Sequence, residues 1–174
     1  MIFLKILIIV TLLVVFVQDI KSRSVYWFLF PALMGLFISV RLLRQGLFIE
    51  IWQPVLLNMT FLILQFLIVS VYFSIKNKHW INITTGLLGW GDILLLLSIT
   101  CYLSVLDFLF FYMISLTGVL VTWLIWQLIS KQKNKQIPLA GIQSLIFAVF
   151  LATGWWCIPV NLTSDDWLLR LINK

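Results

Sequence analysis

The feature that most constrains this chain is a series of apolar segments, each about as long as a membrane-spanning helix, separated by short loops that hold most of the charge. Of its 174 residues, 63% are hydrophobic and only 10% are charged. That composition leaves too little polar surface to cover a water-soluble globule. Because a helix needs about 20 apolar residues to cross a bilayer, the length allows roughly six spans and no separate soluble domain.

We therefore predict an all-α membrane protein consisting of one transmembrane domain, a polytopic bundle of about six helices. The first apolar segment lacks a basic leading region and a cleavage site, so we expect it to remain in the membrane. A long apolar stretch after residue 82 needs a turn, which we place at Asp107. The spans are predicted at about 2–18, 25–43, 54–75, 85–106, 108–129 and 138–158, with an interfacial helix over 163–174.

The distribution of basic residues predicts the orientation. The net charge is +6, but the basic residues fall in short loops between spans, where they report topology rather than binding to nucleic acid. We expect a multi-pass protein of the cytoplasmic (inner) membrane, surrounded by lipid, with both termini outside. The loops assigned to the cytoplasm are those that contain Lys21, Arg23, Lys76, Lys78, Lys131, Lys133 and Lys135.

Two acidic residues lie where apolar segments meet this cytoplasmic side. Asp19 ends the first segment, and Asp92 ends the glycine-rich stretch Gly86-Leu-Leu-Gly89-Trp-Gly91-Asp92. A charged side chain at membrane depth costs at least ~2.5 kcal/mol, so an acid there indicates a functional site. The two glycines next to Asp92 allow backbone conformations and close approaches that other residues forbid. The predicted topology places both acids on one face at similar depth.

Two carboxylates brought within a few ångströms share a proton, so that one acts as a base on water and the other as an acid. This is the chemistry of an aspartic protease, and it needs no metal and no cofactor. The chain has one histidine and no GxSxG, HExxH or nucleotide-binding loop, which leaves the acids as the catalytic candidates.

Three segments carry a resemblance to a known family. Asp19-Ile-Lys-Ser-Arg23-Ser-Val25 resembles the first-aspartate motif of type IV prepilin peptidases. Gly89-Trp-Gly-Asp92 is similar to their GxGD motif, which preflagellin peptidases and, more distantly, presenilins share. Ile137-Pro138-Leu-Ala-Gly141 resembles the family's late Ile-Pro segment. The resemblance covers essentially the whole chain as a short form without the N-terminal cytoplasmic domain.

This resemblance implies an aspartic endopeptidase that removes short basic leader peptides from prepilin or pseudopilin-like precursors at the cytoplasmic membrane face. Such precursors build type IV pili or secretion assemblies. The implied catalytic residues are Asp19 and Asp92, the catalytic-loop residues are Gly89 and Gly91, and the residues that support substrate or loop are Lys21, Arg23 and Pro138.

The chain also departs from the family pattern. Many members have a variable residue and then a lysine after GxGD, where this chain has Ile93 and Leu94. Where many members read Pro-Asn after the first motif, this chain has Tyr26 and Trp27. Nothing corresponds to the cysteine-containing domain of longer bacterial relatives, so we do not expect methyltransferase activity.

Other interpretations remain open at this point. The chain is alternatively a non-catalytic relative that binds pilin-like helices or serves in a secretion assembly, which Leu94 and Tyr26-Trp27 favour. Keeping both acids favours the enzyme, because buried acids without a task are costly in a membrane. A small transporter also uses paired acids, but both acids lie at one face and no half-to-half symmetry is evident. Asp19 alone is also consistent with an interfacial acid neutralised by Lys21 or Arg23.

Overall fold

The structure is a computed structural model that describes residues 1–45, 48–77, 89–129, 139–157, 161–165, 167 and 169. These residues form helices and turns without any strand, which confirms the predicted all-α class. The helices are α1 (Ile2–Ser22), α2 (Leu29–Gln45), α3 (Phe48–Asn77), α4 (Trp90–Thr100), α5 (Val105–Ile129) and α6 (Leu139–Ala152), and a π-helical turn, Thr153–Cys157, continues α6.

Four helical segments in the described part of the chain are long and apolar enough to cross a membrane: Ile2–Ser22, Ile51–Lys76, Val105–Ile125 and Leu139–Cys157. Much of their apolar surface faces outward, as expected for helices in lipid. They indicate a membrane-embedded protein. The described residues do not form six full-length spans, because α2 has 17 residues and α4 has only 11. A bilayer core needs about 20 residues of helix.

The boundary between α4 and α5 differs from the prediction. We expected the turn at Asp107, but α4 ends at Thr100, the turn covers 101–104, and α5 begins at Val105. Backbone bonds from Cys101 to Ser98 and from Tyr102 to Ile99 tighten the end of α4. Asp107 is therefore not a loop residue: it lies in the first turn of α5 and is fully buried.

Two other helices also begin at residues different from those predicted. α2 begins at Leu29 rather than near Val25, and Pro31 lies in its first turn, where its missing N–H breaks no helical hydrogen bond. α3 begins at Phe48, so Pro54 lies inside the helix rather than at its start. Residues 48–53, which lie between the predicted spans 25–43 and 54–75, are helical.

The helices alternate in direction. α1 and α6 are antiparallel, because Asp19 near the end of α1 meets Gly141 near the start of α6, whereas the Lys5 amino group lies 5.2 Å from the Trp155 ring centroid. α2 and α4 instead run in the same direction, because Phe30 at the start of α2 lies beside Gly91 at the start of α4. We call the end that contains Asp19 and Asp92 the dyad end, and the end that contains Arg41 and Asp107 the opposite end.

Aromatic packing fills the interior between the two ends. Phe37 of α2 and Phe111 of α5 both contact Phe147 of α6, with ring centroids 5.7 and 4.8 Å away. All three rings are buried. This apolar layer fixes α2, α5 and α6 relative to one another and so positions the helix ends on either side of it.

Candidate active site

Asp19 belongs to the stripe of α1 that faces the bundle. Ile8, Leu12 and Val15 precede it at helical spacing, and all four residues are buried. Asp19 is only 7% exposed. The helix ends three residues later at Ser22, and its C-cap residue Arg23 has a left-handed backbone (φ 52°) whose N–H donates to the Asp19 carbonyl at 2.9 Å. The periodicity that buries the apolar residues therefore also turns this acid inward.

Asp92 is held at the start of α4. Gly89 is the N-cap residue, and its backbone N–H donates to Asp92 Oδ2 at 3.0 Å, which is half of a capping box. A carboxylate in the first turn is favoured by the helix dipole. The side chain is 8% exposed, and the same helix buries Leu95, Leu96 and Ile99. This capping role uses part of the carboxylate's hydrogen-bonding capacity and leaves its other lone pairs available.

The first turn of α6 brings the two acids together. The Gly141 backbone N–H donates to Asp19 Oδ2, and the preceding amide, that of Ala140, interacts with the Asp92 carboxylate. The two carboxylates also interact electrostatically with each other. The first amides of a helix have no partner within it and carry partial positive charge, so they suit acids that lie next to the helix start.

Glycine at position 141 allows this contact. A Cβ there would lie 3.1 Å from both Cβ and Oδ2 of Asp19, and 3.4 Å from the Phe16 carbonyl oxygen. A Cβ on Gly89 would lie 3.2 Å from Asp92 Oδ2, whereas one on Gly91 would find its nearest neighbour, Phe30 Cζ, at 3.7 Å. Positions 89 and 141 are therefore the tight ones, while position 91 has room for a methyl group.

The remaining predicted residues lie at the edge of this site or outside the described chain. Lys21, in the last turn of α1, and Arg23, just after it, are exposed, and Lys21 lines an exterior groove that also includes Tyr26 and Trp27. Pro138, the last predicted support residue, lies outside the described residues. The structure thus brings together Asp19, Asp92 and Gly89, and leaves Lys21 and Arg23 on the surface next to them.

The contribution of the α6 amides was not anticipated from the sequence. Ala140 and Gly141 belong to the segment Ile137-Pro138-Leu-Ala-Gly141, but only the proline was selected as a site residue. The available signal was a glycine shortly after a proline at the start of a span, which is the pattern of a helix N-terminus with a close neighbour.

Comparison with protein-family models, with curated proteins and with solved structures finds no match to this chain. Its chemistry must therefore be inferred from its own side chains. Two nearly buried carboxylates, held by backbone amides at the end of a helical bundle, are suited to moving protons to and from a water molecule.

Proposed function

We propose that the protein is a membrane-embedded aspartic endopeptidase in which Asp19 and Asp92 activate water. The observation that carries this proposal is the convergence of the two acids, 73 positions apart in the sequence, on the consecutive amides of Ala140 and Gly141. Each acid is costly to bury in an apolar bundle, and placing them together adds repulsion between like charges. A shared proton removes that repulsion and creates an acid and a base in one site.

The reaction follows from this arrangement. The ionised carboxylate takes a proton from water as the water oxygen bonds to the peptide carbonyl carbon, while the protonated carboxyl gives its proton to the carbonyl oxygen. The tetrahedral intermediate then collapses: the C–N bond breaks, the leaving nitrogen receives the proton taken from water, and a hydroxyl of the intermediate returns its proton to the carboxylate that had protonated the carbonyl oxygen. The amides of α6 and of Gly89 keep each carboxylate in place throughout, so the groups need little rearrangement.

We further propose that the substrates are prepilin-like or pseudopilin-like precursors with short basic leaders. The resemblance of the Asp19 and Asp92 segments to prepilin peptidases supports this, as does the location of both acids at one end of an apolar bundle. A precursor whose leader precedes a hydrophobic helix presents its cleavage point at the membrane boundary, which is the level of the dyad end.

We also propose how the protein is oriented in the membrane. All six helices are embedded in the inner membrane with the dyad end at the cytoplasm, and both termini face outward. The basic residues in the loops at the dyad end support this orientation. α4 is short, but its buried residues, including Leu95, Ile99 and Thr100, support a position inside the bundle, where the neighbouring helices rather than lipid surround it.

The experiment is co-expression with a pilin-like precursor that carries a basic leader, followed by the mobility shift caused by leader removal. Wild type is expected to process the precursor, and Asp19→Asn and Asp92→Asn are expected not to. Asp107→Asn is the matched control, because Asp107 is also a buried acid but lies at the opposite end. Processing that survives at either dyad position, or a correctly inserted wild type that cuts none of several precursors, contradicts the proposal and favours the non-catalytic relative.

A further inference from the structure

A glutamine on α6 has no function in the arrangement described so far. Gln143 is fully buried, and neither its amide nitrogen nor its amide oxygen has a hydrogen-bond partner in the described part of the chain. Both atoms are strong hydrogen-bonding groups, and leaving them unpaired in an apolar interior is costly. The neighbouring Ser144 differs, because its hydroxyl donates to the Gly141 carbonyl at 2.7 Å.

Helix geometry places Gln143 close to the dyad. It follows Ala140 by three residues, which corresponds to about 4.5 Å along the helix axis and to a difference of about 60° around it. The two residues therefore lie on neighbouring parts of one face of α6, and Ala140 carries the amide that interacts with Asp92. Side chains leave a helix toward its N-terminus, so the Gln143 amide extends toward the level of the two acids.

On the side away from the dyad, the interior next to Gln143 is aromatic. One turn deeper, Phe147 packs between Phe37 and Phe111, and this aromatic layer presents rings rather than hydrogen-bonding groups. Apart from the neighbouring Ser144, whose hydroxyl is already bonded, the hydrogen-bonding groups nearest to Gln143 along α6 are the backbone amides at the dyad end. A ligand that satisfies the glutamine has to enter from there.

We infer that Gln143 binds the main chain of the substrate next to the scissile bond, an inference that rests on the proposed peptidase function. A primary amide offers one acceptor and a donor pair, which match the N–H and C=O of one peptide unit in an extended segment. Binding of this kind is independent of side-chain sequence, and it aligns the backbone with the dyad. The cost of the unpaired amide in the free protein is recovered when the peptide binds.

The test uses purified wild type, Gln143→Met and the matched variant Gln65→Met, with kcat, KM and thermal stability measured on one precursor. Methionine has nearly the shape of glutamine without its polar ends. Gln143→Met is expected to raise KM by roughly tenfold to a hundredfold, to lower kcat by less, and to leave the melting temperature equal or higher. Gln65→Met is expected to leave KM unchanged and to lower the melting temperature, because Gln65 already donates a hydrogen bond to the Tyr112 hydroxyl.

Gln143→Asn provides the second variant, since it keeps the amide on a shorter chain and should give a KM between those of wild type and Gln143→Met. An unchanged KM in Gln143→Met, or a melting temperature that falls as in Gln65→Met, assigns Gln143 a structural role and overturns the inference while the peptidase stands. Absence of cleavage by the wild type overturns the proposed function instead, and this inference with it.

Discussion

The two ends of the bundle both bury charged groups, but they satisfy them in different ways. At the dyad end, Asp19 and Asp92 are bonded by backbone amides and keep 7% and 8% of their surface exposed. At the opposite end, Asp107 and Arg41 have no exposed surface, and other parts of the chain cover them. The first arrangement leaves a small part of each acid exposed, whereas the second leaves none.

The C-terminal segment produces the closure at the opposite end. Trp167 Nε1 donates to Asp107 Oδ1 at 2.9 Å, and Asp165 Oδ1 accepts from the Leu106 amide at 3.0 Å at the start of α5. The Ser104 amide donates to the Leu162 carbonyl, and Leu162 itself is 2% exposed. The segment predicted to lie on the membrane surface thus contributes buried contacts through its described residues. These contacts are typical of structural polar groups.

The comparison teaches that burial alone does not identify a catalytic acid. Asp107 is more buried than either member of the dyad, yet it has a side-chain donor and a tail that covers it. The dyad is distinguished by glycines where other residues would be crowded, and by carboxylates that accept hydrogen bonds from backbone amides rather than from side chains in the described part of the chain.

The largest expected effect lies in the two acids acting as one unit. Asp19→Asn and Asp92→Asn should each lower kcat/KM by about 10²–10⁴-fold, the usual contribution of general acid–base catalysis. The double variant should lose little more than either single variant, because residues of one catalytic unit are not additive. Asp107→Asn should stay within about twofold of wild type. Losses that multiply in the double variant, measured on a purified precursor, would show that the acids act separately.

The next effect concerns the close approach of α6 to Asp19. Gly141→Ala adds a methyl group where a Cβ meets Asp19 at 3.1 Å, so the carboxylate must shift. Because displacement of a catalytic group by about 1 Å costs about 10²-fold, we expect kcat/KM to fall by about tenfold to 10²-fold.

The control for this change is Gly35→Ala, since a Cβ on Gly35 in α2 meets nothing within 4 Å. That variant should keep full activity and gain about 0.5–1 kcal/mol of stability, because alanine is the better helix former. Equal activity for Gly141→Ala and Gly35→Ala in the same assay would argue against a tight Asp19 contact.

A stability effect should appear at the opposite end. Trp167→Phe keeps the ring that packs on Phe110 but removes the donor to buried Asp107. We expect unfolding free energy to fall by about 1–3 kcal/mol, the cost of a buried group that loses its partner. Denaturant unfolding in detergent measures this, with Trp27→Phe at a 73% exposed position as the control. A larger loss of activity than of stability would contradict the structural role of this end.

The smallest effect is expected for Tyr102→Phe, which removes the hydroxyl that accepts from Trp155 Nε1 at 2.8 Å. The two rings remain packed edge to face with centroids 6.0 Å apart. The loss should therefore be about 1 kcal/mol of unfolding free energy, with cleavage unchanged. A change in precursor cleavage without a change in stability would show that the two ends are coupled.

The sequence by itself determined the class of the protein and the identity of the two acids. Apolar length and the location of charge predict helices in a membrane, because no backbone group can stay unpaired in lipid. The spacing of Ile8, Leu12, Val15 and Asp19 likewise predicts that Asp19 faces inward. The Ser104-Val-Leu-Asp107 spacing also signals a helix start, although we placed a turn there instead.

Only the tertiary structure decided which groups meet. The meeting of Asp19 and Asp92 at the first turn of α6 and the tail that covers Asp107 both join segments that are distant in sequence, and the same packing leaves the Gln143 amide unpaired in the described part of the chain. Helix periodicity specifies which face of a helix is buried, but not which neighbour covers it or how far along its axis that neighbour sits. Those follow from the packing of side chains between helices, where the size of one residue, such as Gly141, fixes the distance between two backbones.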